Sequence, residues 1–266
     1  MAIDNPAYTR NKGFTSNPGT LSAADLQAMY DASPNAVAAQ PMTIEGSVVK
    51  TVGLFAVLLI TAAAGWMIAA TNPGLGGMLM IGSMLVGFVL AMVNIFKKEP
   101  SAPLVVAYSA VQGIFLGVIS YQFNSMWDGI VLQAVLATFV VVGVTLALFA
   151  SGKVRASARA TKIFLISMVG YVVFSLVNML LVMFGAIKNP YGIGGIEVFG
   201  IPLGILIGVL VVIMAAYSLV LDFDFIQKGA ANRIPKAYEW SGAFGIMVTV
   251  IWLYLEILRM LAISRN

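Results

Sequence analysis

Asp222 and Asp224 are the side chains best placed to do chemistry in this chain. They stand in the run Tyr217-Ser-Leu-Val-Leu-Asp222-Phe-Asp224-Phe-Ile-Gln227, directly after an apolar stretch from Ile201 to Ala216. A carboxylate at membrane depth costs roughly 3 kcal/mol or more to insert, so it normally has a function or a partner. Burial disfavours its charged form and a nearby cation favours it. Such an acid can exchange a proton, hold a cation weakly or pair with a base. Two residues apart, Asp222 and Asp224 differ in direction by about 200° on a helix, so they cannot face one pore together. Asp222 precedes Lys228 by roughly 9 Å of helical rise. It therefore belongs near one edge of the membrane, not at its centre.

Other polar side chains at depth are few. Glu256 and Arg259 lie i, i+3 on the last apolar run and are expected to form a local ion pair near the external surface. Lys97 and Lys98 end the second run, at a level where either could latch Asp222 or Asp224. Gln112, Asn178, Asn94 and Gln133 are uncharged, and hydrogen bonding between helices is their expected role.

Much chemistry is excluded by what the chain lacks. It has no cysteine and no histidine. Disulfides, thiolate or imidazole metal sites, and Cys- or Ser-His catalysis are ruled out, so any proton sensing must use carboxylates. No HExxH, Gly-x-Ser-x-Gly, Walker or dinucleotide-binding pattern is present. Intramembrane aspartyl proteases need Tyr-Asp and Gly-x-Gly-Asp on adjacent helices. The one Tyr-Asp here, Tyr30-Asp31, lies in a polar tail. The chain is read as a non-enzyme without a cofactor. No RNP, finger or basic-helix pattern marks a nucleic-acid partner either.

The elements that position these residues are membrane spans. Of 266 residues, 60% are hydrophobic and 10% charged, whereas soluble domains carry about 25% charge. Seven apolar runs are long enough to cross a bilayer: 48–71, 75–96, 103–123, 129–150, 163–186, 201–225 and 241–262. Asn72-Pro73-Gly74 and Lys97-Lys98-Glu99-Pro100 separate the first three. Residues 1–46 read as a disordered cytosolic tail with one short helix at Leu21–Met29, and 47–266 as the membrane domain. Twelve basic residues fall on the N-terminal side and only Lys188, Arg259 and Arg265 on the other. The positive-inside bias puts the N-terminus in the cytosol and the C-terminus outside, in a multi-pass plasma-membrane protein. That orientation excludes a G-protein-coupled receptor. The lack of a lysine between Ser241 and Leu258 excludes a retinal protein.

Small residues four apart mark close helix packing: Gly113-xxx-Gly117, Gly200-xxx-Gly204-xxx-Gly208 and Ser83-xxx-Gly87. The third run, Ala107-Tyr-Ser-Ala-Val-Gln-Gly113-Ile-Phe-Leu-Gly117-Val-Ile-Ser120, resembles a signature of the bacterial YccA-like branch of the Bax inhibitor-1 (TMBIM) family. So does Gln133-Ala-Val-Leu-Ala-Thr-Phe. Asp222-Phe-Asp-Phe-Ile226 resembles the family's Asp-Thr-Gln-Leu-Ile, and Leu253-Tyr-Leu-Glu-Ile-Leu-Arg259 its Leu-Phe-Leu-x-Leu-Leu-Arg. The resemblance covers about residues 46–262.

It implies an all-α bundle of seven transmembrane helices, one of them central and ringed by the others, and a pH-sensitive calcium leak. In the family, an aspartate on span six pairs with one on span seven, and a basic residue on span two can latch it. The first carries over to Asp222. The second falls on Thr249, the latch loosely on Lys97, and a glutamate of span three on Gln112. Asp222, Thr249 and carbonyls would hold calcium only weakly and transiently. Three functions remain in view. The first is a cation leak, for calcium, gated by protonation near Asp222, with Asp224 or Glu239 as substitutes for the missing acid. The second is a non-transporting regulator of a membrane protease or of stress tolerance. The third is a small-solute or proton-coupled transporter.

Overall fold

The computed structural model describes residues 40–189 and 191–265. Residues from Pro41 onward form one compact unit. The helix expected at Leu21–Met29, Tyr30-Asp31 and most of the tail lie outside the described residues.

Among the described residues, seven helices long and apolar enough to cross a membrane follow one another: α1 Ile44–Thr71, α2 Pro73–Phe96, α3 Ala102–Met126, α4 Ile130–Ala150, α5 Ala158–Met183, α6 Leu203–Ala231 and α7 Glu239–Ser264. The shortest has 21 residues, about 31 Å of rise, enough for a hydrocarbon core of about 30 Å. Local signals set the boundaries. Asn72 closes α1 through its N–H and opens α2 by accepting from Leu75 N at 3.1 Å, with Pro73 in the first turn. Ser157 caps α5 by accepting from Ala160 N.

Residues 41–46, grouped by composition with the tail, belong instead to the bundle. Met42 is buried and its N–H donates to Ile234 O at 2.7 Å. Thr43 then caps α1. Gly200 also differs from expectation. It is not helical but stands with Phe199 at positive φ (78° and 55°) in the two-residue turn of a hairpin pairing Glu197–Val198 with Ile201–Pro202. Both central residues being left-handed is the geometry a tight hairpin turn requires.

Helix α7 is the central helix. It packs against α6, α1, α4 and α3 and carries the densest run of buried residues. Helix α5 is peripheral, with only Phe164 buried. Lipid supplies no hydrophobic force to hold such a helix, so polar contacts must contribute. Thr161 Oγ1 and Tyr217 Oη share a hydrogen bond at 3.0 Å, and the Asn178 amide binds both Tyr191 O and Ile193 N.

Candidate functional site

Asp222 lies where α6 meets the central helix. Its direction follows from the 100° turn per residue: Ser218 and Asp222, four apart, share the face toward α7. Thr249 Oγ1 donates to Asp222 Oδ2 at 2.7 Å. The Ser218 and Thr249 hydroxyls are 3.2 Å apart. Because Thr249 gives its only proton to the carboxylate, Ser218 must donate to Thr249. Gly245 leaves room for the acid, since a Cβ there would stand 2.6 Å from Asp222 Oδ1. Thr249 is buried. Among the described residues Asp222 has no cationic partner. It is an acid inside the bundle, held by hydroxyls alone.

Asp224 points elsewhere, as the two-residue spacing requires. It pairs with Lys228 at 2.6 Å, i to i+4, and the lysine side chain is 67% exposed. Exposed pairs of this kind contribute about 0–1 kcal/mol. Asp224→Asn should therefore move the unfolding midpoint in detergent by less than about 1 kcal/mol equivalent. A larger loss would show that Asp224 supports more than a local pair.

The structure does not bring the other expected gate residues to Asp222. Gln112 sits on α3 against Gly87 of α2, and α3 packs on α1 and α2. Lys97 and Lys98 are exposed at the end of α2 and form no ion pair with Asp222 or Asp224. Neither acts as a latch in this conformation.

Glu256 and Arg259 do pair, with Arg259 using both Nε and Nη2. The pair is not a surface feature, however. Glu256 is buried and accepts from Tyr171 Oη of α5 at 3.0 Å. It ties the peripheral helix to the central one.

A second buried acid, Glu239, is expected from the sequence only as a substitute acid beside Asp222, not as the partner of Lys50. Glu239 is fully buried at the start of α7. It accepts from Thr43 N at 2.9 Å, from Thr43 Oγ1 at 3.0 Å and from Lys50 Nζ. Lys50 also lies over the Trp240 ring, 5.1 Å from its centroid. These partners engage Glu239 fully, so it does not replace a second acid beside Asp222. A lone lysine inside the apolar run of α1 was the available signal, because such a charge needs an acid.

A family model described as Bax inhibitor 1 like matches residues 5–266. The chain belongs to the Bax inhibitor 1 like family. No curated protein matches it. The seven-span bundle with its central helix fits a multi-span membrane family, and a lipid bilayer is its surroundings. Within this family member, the side chain facing Asp222 across the α6–α7 seam is a threonine. Two facing carboxylates would have to share a proton, because both cannot ionise cheaply. A carboxylate and a hydroxyl face no such constraint.

Proposed function

We propose that this protein is a pH-sensitive cation leak channel, of the YccA-like branch, passing calcium past Asp222. The observation that carries this reading is an acid within the bundle, bonded to Thr249 and supported by Ser218, with no cation beside it among the described residues. A structural carboxylate in a membrane would be paired, as Glu239 and Glu256 are. Asp222 is the carboxylate free to take a proton or a passing cation.

Its oxygens suit passage better than storage. Among the described residues there is no group of three acidic side chains able to hold a metal, and calcium prefers six to eight oxygen ligands. One carboxylate and two hydroxyls offer a brief, weak stop. On this reading the protein works as a channel and not as a catalyst. Its Lys- and Arg-rich end, with the N-terminus, faces the cytosol of a plasma membrane, and the C-terminus lies outside.

Purified protein in calcium-indicator liposomes should admit calcium at a rate that depends on pH. Asp222→Asn should flatten that dependence, because the exchangeable proton is gone. Thr249→Asp should shift it, because two facing acids titrate as a coupled pair. Wild-type flux that ignores pH would remove the gate. No flux at any pH would overturn the reading and leave non-transporting regulation of a membrane protease as the alternative to pursue.

A further inference from the structure

A groove of about 1200 Å³ runs along the bundle between α1 and α4, open sideways. Its walls include Val52, Leu59 and Met67 of α1 and Val135, Val142 and Leu146 of α4. Its floor is formed by α7, α3 and the end of α6, with Ile251, Leu116 and Phe223. Ordinary small-molecule pockets span roughly 300–1,000 Å³, and this space is larger and longer.

The hydroxyls along it ask nothing of an occupant. Thr138 Oγ1 donates to Ala134 O, Thr51 Oγ1 to Ser47 O, and Ser120 is bonded to Tyr254 Oη. The lining therefore offers almost only hydrocarbon, which suits neither water nor an ion.

One end differs. Phe149 and Gln227 both line the groove where α4 ends. Arg155 stacks over the Phe149 ring at 4.7 Å and donates from Nη1 to Gln227 Oε1. Arg155 is exposed and has no acidic partner among the described residues. A guanidinium has five N–H donors, so most remain free to bind an anion at the mouth. Lys153, Arg159 and Lys162 stand in the same stretch, and residues 151–162 contain no acid.

We propose that this groove is a binding site for an anionic phospholipid, with an acyl chain between α1 and α4 and the phosphate on Arg155. Hydrocarbon lining selects the chain, and the unpaired guanidinium selects the charge. Arginine grips phosphate through paired N–H donors, and Gln227 with the Phe149 ring holds that guanidinium at the rim.

The test is native mass spectrometry of the full chain taken from vesicles holding equal phosphatidylglycerol and phosphatidylcholine. Wild type should retain phosphatidylglycerol in preference. Arg155→Ala should cut that retention about fivefold, the usual weight of one basic residue at an anionic surface, and leave phosphatidylcholine unchanged. Ala56→Phe and Ala63→Phe, at residues that line the groove, should lower retention of both lipids. Arg155 is exposed, so its variant stays informative even if a bulky one fails to fold. Equal retention of the two lipids would overturn the proposal. So would phosphatidylglycerol retention that survives both phenylalanine variants, or a lipid-free dimer in place of the lipid-bound species.

Discussion

Glu239→Ala should destabilise the bundle by about 1–3 kcal/mol, the cost of leaving the hydrogen-bond partners of a charged group unmet. Glu239 is wholly enclosed, and the Lys50 side chain that faces it is only 17% exposed. Removing the acid leaves an ammonium with little water to replace it. It also leaves Thr43 N and Thr43 Oγ1 without their acceptor, a smaller loss because Thr43 is exposed and water can take the place of the acid. Glu239→Gln keeps an acceptor for Thr43 but not the charge, and should fall between wild type and alanine. The pair Lys50→Met with Glu239→Leu should recover much of the loss, because an apolar replacement removes the desolvation penalty together with the attraction. Unfolding midpoints in one detergent, compared as a double-mutant cycle, would measure this. Single variants within about 0.5 kcal/mol of wild type would show that the pair does not hold α1 to α7.

This ion pair marks the boundary of what the sequence discloses. The seven spans are legible because bilayer thickness imposes a length, and Asn72-Pro73-Gly74 and Ser157 impose starts and stops. The separation of Asp222 from Asp224 is legible too, because helical geometry acts within one element. Facing partners are a different matter. Lys50 and Glu239 are 189 residues apart in the chain, and their meeting depends on which helices α7 chooses as neighbours. Lys97 and Gln112 show the converse. Both stand at suitable depth, but α2 and α3 pack on each other and on α1, so depth alone does not bring them to Asp222. The Met42 anchor was hidden because short polar segments look alike whether they dock or not. Its N–H reaches Ile234 O only once the α6–α7 connection is in place.

Gly117→Leu should be nearly as damaging as the loss of Glu239, for a different reason. Along the seam between α1 and α3 the two backbones touch. Ser109 Oγ donates to Leu54 O at 2.6 Å. A turn further on, a Cβ on Gly113 would overlap Leu58 O and Thr61 Oγ1, and another turn on, a Cβ on Gly117 would overlap Ala62 O. The obstacles are largely backbone atoms, which cannot rotate aside. A larger residue must therefore push α1 away from α3 along its length. In lipid the separated surfaces gain nothing from water exclusion, and close packing supplies most of the association. Overpacking of this kind costs about 1–3 kcal/mol at a site, and both glycines belong at the upper end. The two losses should not add in the double variant, because the first substitution already opens the seam the second would strain. Gly143→Leu and Gly170→Leu make a control, since nothing stands within 4 Å of a Cβ at either position. They should stay within about 0.5 kcal/mol of wild type in the same detergent. Because α1 also carries Lys50 and a wall of the lipid groove, Gly117→Leu should lower phosphatidylglycerol retention as well, whereas Gly170→Leu on peripheral α5 should not. Equal effects of leucine at Gly113, Gly117, Gly143 and Gly170 would mean that helix propensity, not the α1–α3 contact, governs stability.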